Sequence, residues 1–244
     1  MVTKHQIKLI KSLSQKKYRQ QLGLFIVEGV KGIQEFLNSD FELETLYTTK
    51  QIFDAPETKT IVISEADLKK ITSLKNPNTV LAVFNIPKPR TINTNGLIIA
   101  LDDVRDPGNL GAIIRLCDWY GVADLVCSVN TVDCFNSKVV QATMGSLARV
   151  NISYLDLEEF TALANTETYG TFMNGENIYT ADLPKYGIVV LGNEANGISD
   201  EIKSITNRKL TIPQFGSDKF TESLNVANAT AIVLSEFRRR FTEM

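Results

Sequence analysis

From residue 91 onward the chain alternates strand-sized apolar runs with helical stretches, and three of those runs end directly in polar, glycine-bearing clusters. This rhythm constrains the fold more than any other feature, because alternating strands and helices build a parallel sheet covered by helices. In such sheets ligands sit beyond the carboxyl ends of the strands. A polar cluster that begins where a strand stops is therefore a candidate site. Strands are predicted over 96–101, 124–129, 148–152, 170–173, 188–191 and 209–212, and helices over 110–120, 138–144, 157–164 and 225–240.

The preceding segment repeats the alternation on a smaller scale. Ile7, Ile10 and Leu13 stand at helical spacing, so residues 1–20 read as one helix. Strands follow at 24–27, 43–47, 60–63 and 80–84, with a helix over 30–37. Ser64 with Asp67 reads as a capping box opening another short helix. The segment ends at Ile86-Pro87-Lys88-Pro89-Arg90, where two prolines favour an extended connector. The division this implies is a small domain over 1–88 and a larger one over 91–244.

Several chemistries are disfavoured by composition. No apolar stretch approaches the roughly 18 residues that span a bilayer, and a polar, basic beginning without an apolar run behind it argues against a secretory signal, so a cytoplasmic protein off the membrane is expected. The 3 cysteines, Cys117, Cys127 and Cys134, are odd in number and lack CxxC spacing, which points to reduced thiols rather than a disulfide framework or metal site. The single histidine, His5, lies far from every cluster. That removes Ser/His and Cys/His nucleophilic machinery. A net charge of −2 does not advertise a polyanion partner, but its distribution is uneven. Lys4, Lys8, Lys11, Lys16, Lys17 and Arg19 fall within the first twenty residues without an acid among them, and Arg238, Arg239 and Arg240 stand in sequence near the other end. Such stretches can neutralise phosphates or simply form a solvated helix face.

The first cluster runs from Leu101 through Asp102-Asp103-Val104-Arg105-Asp106-Pro107-Gly108-Asn109 to Arg115. A strand ends, a Pro-Gly turn follows and a helix begins, which can present backbone N–H groups to an anion. The spacing is neither a dinucleotide fingerprint nor a P-loop. The second is Leu191-Gly192-Asn193-Glu194-Ala195-Asn196-Gly197, whose two glycines permit a tight turn and close approach of backbone to a ligand. The third joins Ile212-Pro213 to Ser223-Leu224-Asn225-Val226, where a helix with many small residues begins. Singly, each also reads as ordinary turn and cap chemistry: Arg115 as a surface partner of Asp118, Ser223 as a helix cap.

Together the clusters resemble the SpoU family of RNA 2′-O-ribose methyltransferases, within the SPOUT class. Asn109 to Arg115 is similar to the family's N-x-x-G-A-I-x-R pattern, Leu191 to Gly197 to L-G-x-E-x-x-G, and Ile212-Pro213 with Ser223 to Val226 to I-P-…-S-L-N-V. The order matches, and the resemblance covers about 97 to 235. The first segment is similar to the family's small L30e-like substrate domain, through its basic helix and the strand ending Phe25-Ile26-Val27-Glu28-Gly29. Two departures stand out: a longer loop over 215–222, and Ala227-Asn228 where many relatives have Ser-Val.

The resemblance implies an α/β fold with a C-terminal parallel-sheet domain holding a deep trefoil knot, and a small N-terminal L30e-like α/β domain. It implies S-adenosylmethionine as cofactor, held near Leu191, Gly192, Gly197, Ile212 and Leu224. It places Arg115, Asn109, Glu194, Ser223 and Asn225 on the reacting side. Lys8, Lys11, Lys16, Lys17 and Arg19 are the expected RNA contacts. The implied partners are a structured RNA, ribosomal favoured over transfer RNA, and a second copy in a homodimer, with neither metal nor membrane. A guanidinium holds its proton far above neutral pH and is a demanding general base, so Arg115 is better suited to holding phosphate and developing negative charge; both roles stay open. Alternatives are a base-modifying member of the class, an inactive RNA-binding homologue and, from the α/β rhythm alone, a Rossmann-type nucleotide enzyme.

Overall fold

The computed structural model describes residues 1–77, 79–216 and 223–241. In chain order it forms α1 (Lys4–Ser12), α2 (Lys16–Leu22), β1 (Leu24–Glu28), α3 (Val30–Leu37), β2 (Leu43–Thr48), β3 (Thr60–Val62), α4 (Glu65–Ile71), β4 (Val80–Asn85), β5 (Leu97–Leu101), α5 (Pro107–Trp119), β6 (Asp124–Cys127), α6 (Ser137–Thr143), β7 (Asn151–Tyr154), α7 (Leu157–Ala164), β8 (Thr168–Asn177), β9 (Gly187–Leu191), α8 (Asp200–Ile205), β10 (Arg208–Thr211) and α9 (Val226–Arg239). These elements make two compact units. One comprises Met1–Lys88 with Asp133–Arg149, the other Pro89–Val132 with Val150–Met244. The later stretch of chain thus contributes α6 to the first unit.

Among its described residues the first unit has a sheet in the order β1-β4-β2-β3. β4 is antiparallel to both neighbours, and β2 and β3 run parallel. Successive side chains on a strand face opposite sides, so β1 and β4 each serve two cores. Leu81 and Val83 pack with Ile10, Leu13, Leu68 and Ile71 from the helical side. Phe25 and Phe84 instead join an aromatic cluster with Phe36 and Phe135; the Phe25 and Phe135 rings lie 4.7 Å apart.

The single N-terminal helix expected from periodicity is broken after Ser12. Its start has the expected chemistry, with the Thr3 hydroxyl accepting from the Gln6 amide and the Gln6 side chain accepting from Thr3 N–H. The break is held by Arg19. Its Nη1 donates to the carbonyls of Leu13 and Ser14 at 2.8 and 3.0 Å, which an unbroken helix would have bonded internally. Its Nε and Nη2 donate to Asp133 at 2.9 and 2.5 Å. The Arg19 side chain is 2% exposed. Removing one partner of such a pair strands a buried charge and costs on the order of 3–5 kcal/mol.

The second unit has a parallel sheet in the order β10-β8-β9-β5-β6-β7. β5 and β9 lie in the middle and are buried along their whole length, as expected for strands covered on both faces. Ile98, Ala100, Ile188 and Val190 pack with Leu157, Phe160 and Ile202, while α5 packs against α9. α8 was not anticipated; its six residues are too short a run for a helical period to declare itself. Ala148, where the strand over 148–152 is expected to begin, instead ends a 3-10 turn (Ser146–Ala148), and β7 starts at Asn151. Among the described residues, no helix is long and apolar enough to cross a membrane.

Candidate active site

β5 and β9 are neighbours in register, Leu101 beside Leu191, so the first two polar clusters emerge side by side at the carboxyl edge of the sheet. Asp102 stitches them together. Its amide donates to the Leu191 carbonyl at 2.9 Å, and its buried carboxylate accepts from the Ser199 amide at 2.7 Å. Asp103 follows in the left-handed region, φ 58°. A non-glycine residue there costs on the order of 1 kcal/mol and persists where its surroundings hold it. Here its N–H donates to the Ser128 hydroxyl at 2.9 Å and its carbonyl accepts from Asn193 Nδ2 at 2.7 Å. The Asp103 carboxylate in turn accepts from Arg105 Nε at 2.7 Å. That hydrogen bond, and the charge behind it, raise the pKa of the Arg105 guanidinium above its ordinary value.

Asp106 caps α5 by accepting from the Asn109 amide at 2.8 Å, with Pro107 in the first turn where its missing N–H has no helical partner to lose. The helix therefore starts three residues earlier than periodicity suggested, and Asn109 lies in its first turn. Its side chain is the hub of the site. Nδ2 donates to Glu194 Oε1 at 2.7 Å, and Oδ1 accepts from Asn225 Nδ2 at 2.8 Å. An ionised carboxylate only accepts, so Glu194 fixes which end of the Asn109 amide faces it, and that leaves an oxygen for Asn225. Asn225 also caps α9, accepting from the amides of Ala227 and Asn228 at 2.9 and 3.3 Å. One amide thus ties together the segments after β5, after β9 and before α9.

The loop after β9 closes on itself. Asn193 and Gly197 exchange two backbone hydrogen bonds of 2.9 Å, and the Asn193 side chain accepts from the amides of Ala195 and Asn196. Gly197 takes φ 69°, and a Cβ on Gly192 would stand 2.1 Å from the Gly197 carbonyl carbon and 2.2 Å from Ile198 N. Leu191 is buried at the strand end and Ile212 is half-buried just past β10. Leu224, next to Asn225, is left 49% exposed, and Phe215 84%. An open cleft of about 700 Å³ is lined by Asn109, Asn193, Glu194 and Asn225 together with Arg105 and Asp106.

Of the expected reacting residues, Asn109, Glu194 and Asn225 come together. Arg115 does not line this cleft: it is exposed on α5, six residues beyond Asn109, which is roughly 9 Å along a helix axis. No hydrogen bond or ion pair holds it among the described residues. Ser223 is exposed, and the capping of α9 falls to Asn225. Of the longer loop over 215–222, residues 217–222 lie outside the described residues. The sequence reading misses Arg105, Asn193 and Asp103, although all three stand inside the quoted clusters; a polar residue within two to four positions of a strand end is the available signal.

Lys8, Lys11, Lys16 and Lys17 are exposed on α1 and α2. Arg19 must be removed from that basic set. Its guanidinium is buried and all three of its hydrogen-bonding nitrogens are engaged by Asp133 and two backbone carbonyls, so it has no face left for a phosphate.

Comparison with known proteins gives a consistent picture. A family model described as the SpoU rRNA methylase family matches residues 96–235, and one described as an MRM3-like substrate binding domain matches residues 4–82. The 23S rRNA (guanosine(2553)-2′-O)-methyltransferase RlmP of Bacillus subtilis (strain 168) is 28% identical over 236 residues, covering 93% of this chain and 94% of its own. A solved structure from Porphyromonas gingivalis, described as an RNA methyltransferase of the TrmH family, superposes with a TM-score of 0.91 at 38% identity over 98% of this chain and 99% of that one. The AdoMet-bound rRNA methyltransferase of Sinorhizobium meliloti superposes with a TM-score of 0.88 at 30% identity, over 100% of this chain and 97% of its own.

Proposed function

The chain belongs to the SpoU rRNA methylase family, and on that premise we propose that it methylates a ribose 2′-hydroxyl of a structured RNA, ribosomal RNA favoured over transfer RNA. The observation that carries the proposal is the Asn109 hub, which joins Glu194 and Asn225 from three separate segments around one cleft. The enzyme uses S-adenosylmethionine, which supplies a methyl group on a sulfonium. The residues present suit such a group: Leu224, next in sequence to the cleft residue Asn225, offers exposed apolar surface, and the turn between Gly192 and Gly197 leaves backbone accessible where a side chain on Gly197 would meet open space.

The chain's own residues then have separable tasks. Asn109, held by Glu194 on one side and Asn225 on the other, is fixed in orientation and can present its amide to the ribose. Ser223, beside Leu224, positions the substrate and its loop. Arg115 stabilises negative charge as the hydroxyl loses its proton; a donor aimed at developing charge is worth far more in a desolvated site than in water. Its exposed position outside the cleft of its own chain favours a homodimer, in which a site near the subunit interface gains the missing cation. We place the trefoil knot of the SPOUT class in the larger unit. We place the activity in the cytoplasm.

Ribosomal RNA is favoured because RlmP, which aligns along both units, is by its name a 23S rRNA enzyme, and because the first unit matches a substrate-binding domain. The test is methyl incorporation from labelled S-adenosylmethionine into total RNA, followed by nucleoside analysis. Label in a 2′-O-methylated nucleoside of ribosomal RNA is expected. Label in transfer RNA would overturn the substrate assignment, and label in a base would overturn the reaction. Cofactor binding without label in any RNA would point to an inactive homologue.

The four exposed lysines should supply part of the RNA affinity. Replacing Lys8, Lys11, Lys16 and Lys17 with glutamine is expected to weaken RNA binding and to lower the slope of log affinity against log salt by at most about 2.8–3.6, from roughly 0.7–0.9 per phosphate contact. Unchanged affinity and slope in filter binding would show that this face is only solvated.

A further inference from the structure

Among the described residues lining the cleft, Arg105 is the one cation, against the carboxylates of Asp106 and Glu194. Both carboxylates are occupied, Asp106 by the α5 cap and Glu194 by Asn109. Among the described residues of this chain's cleft, a polyanion meets Arg105 as the one opposite charge. An exposed arginine beside an aspartate is ordinarily an incidental surface pair. Here the aspartate is not incidental. Asp103 sits in the left-handed region, clamped through its N–H by Ser128 and through its carbonyl by Asn193. Its carboxylate is consequently fixed by the ends of β5 and β9 and takes Arg105 through Nε at 2.7 Å. That engages one edge of the planar guanidinium. Among the described residues nothing holds the Nη groups, which form the fork that matches two oxygens of a phosphate.

We propose that Arg105, positioned by Asp103, holds a backbone phosphodiester of the substrate RNA at the mouth of the cleft, beside the target ribose. The inference deepens the reading of the chain as an RNA 2′-O-methyltransferase and rests on it. Arg105 contacts the substrate; Asp103 is a positioning residue. The phosphate fixes the register of the RNA, because sugar-phosphate contacts position a nucleic acid without reading its bases. The same fork would also accept the carboxylate of the cofactor's methionine portion, so the test separates the two anions.

The test is equilibrium binding of an RNA hairpin oligonucleotide across a salt series, binding of S-adenosylmethionine alone, and methyl transfer to ribosomal RNA from cells lacking the enzyme. With Arg105→Gln the slope of log affinity against log salt should fall by about 0.7–0.9, one phosphate contact. KM for RNA should rise about tenfold, the scale of one lost charge-assisted contact, with kcat and cofactor affinity unchanged. Arg105→Lys should restore the slope without the full affinity, because an ammonium lacks the fork. Asp103→Asn tolerates the same backbone conformation. Bare electrostatics predicts tighter RNA binding once that negative charge is gone, whereas positioning predicts weaker binding, and weaker is expected. Weakened cofactor binding in Arg105→Gln would reassign the arginine to the methionine carboxylate. An unaltered slope and KM would reduce the pair to a surface ion pair, and tighter binding by Asp103→Asn would remove the positioning role; each overturns the proposal. RNA binding needs no turnover, so a wild-type protein that binds RNA but places no label in 2′-O-methylated nucleosides would defeat the underlying reading in a separate arm.

Discussion

Arg115→Ala is expected to keep S-adenosylmethionine binding and to lose methyl transfer by roughly 10²–10³-fold, the range seen when one donor to a developing anion is removed. The argument rests on where the residue is. Arg115 is exposed on α5 and is held by no hydrogen bond or ion pair among the described residues. Its truncation should therefore leave the melting temperature unchanged, so that lost activity cannot be ascribed to unfolding. Calorimetric titration with the cofactor, single-turnover methyl transfer and a thermal melt together decide the point. Loss of cofactor affinity in a folded variant would assign Arg115 to cofactor binding instead. Full activity would remove it from the reaction. Arg115→Lys should recover little, because charge is retained while the planar fork is not.

Gly192→Ala should be at least as severe, for a different reason. The added Cβ would meet the backbone of Gly197 and Ile198 at 2.1–2.4 Å. Backbone cannot move aside by changing rotamer, so the turn that Asn193 and Gly197 close would have to open. We expect cofactor affinity to fall roughly 100-fold or more, the scale of about 3 kcal/mol, and stability to drop by about 2 kcal/mol. Gly197→Ala is the internal comparison. It has open space for a Cβ but a φ of 69°, so it carries backbone strain of about 1 kcal/mol without the collision. If both variants weaken cofactor binding equally, strain rather than close approach governs the loop.

The parallel sheet was legible because its middle strands are buried on both faces and read as uninterrupted apolar runs, as at Leu97–Leu101 and Gly187–Leu191. Asn109, Glu194 and Asn225 were legible as motif residues, but not as a hydrogen-bonded hub, since sequence spacing says nothing about which amide end faces a carboxylate. What periodicity missed has local causes. The N-terminal helix breaks because Arg19 captures the carbonyls of Leu13 and Ser14, and the aspartate that fixes Arg19 lies 114 residues away. A count of basic residues cannot distinguish Arg19, which is buried, from Lys16 and Lys17, which are exposed. Arg105 was hidden in the same way, because its place beside Asp103 depends on the unusual backbone of that residue.

The participation of Asp133–Arg149 in the first unit bears on how this chain is born. Synthesis runs from the N-terminus, and domains generally fold as units once they have emerged. When Lys88 has left the ribosome, Phe25 still lacks Phe135 and Arg19 still lacks Asp133, so an apolar ring and a guanidinium await partners not yet made. β5, α5 and β6 are translated during that wait. The first unit to begin folding is therefore not free to finish first. Its completion is a long-range closure, so the folding of this chain should carry a slow, non-local step in the first unit as well as in the parallel sheet, where β5 pairs with β9.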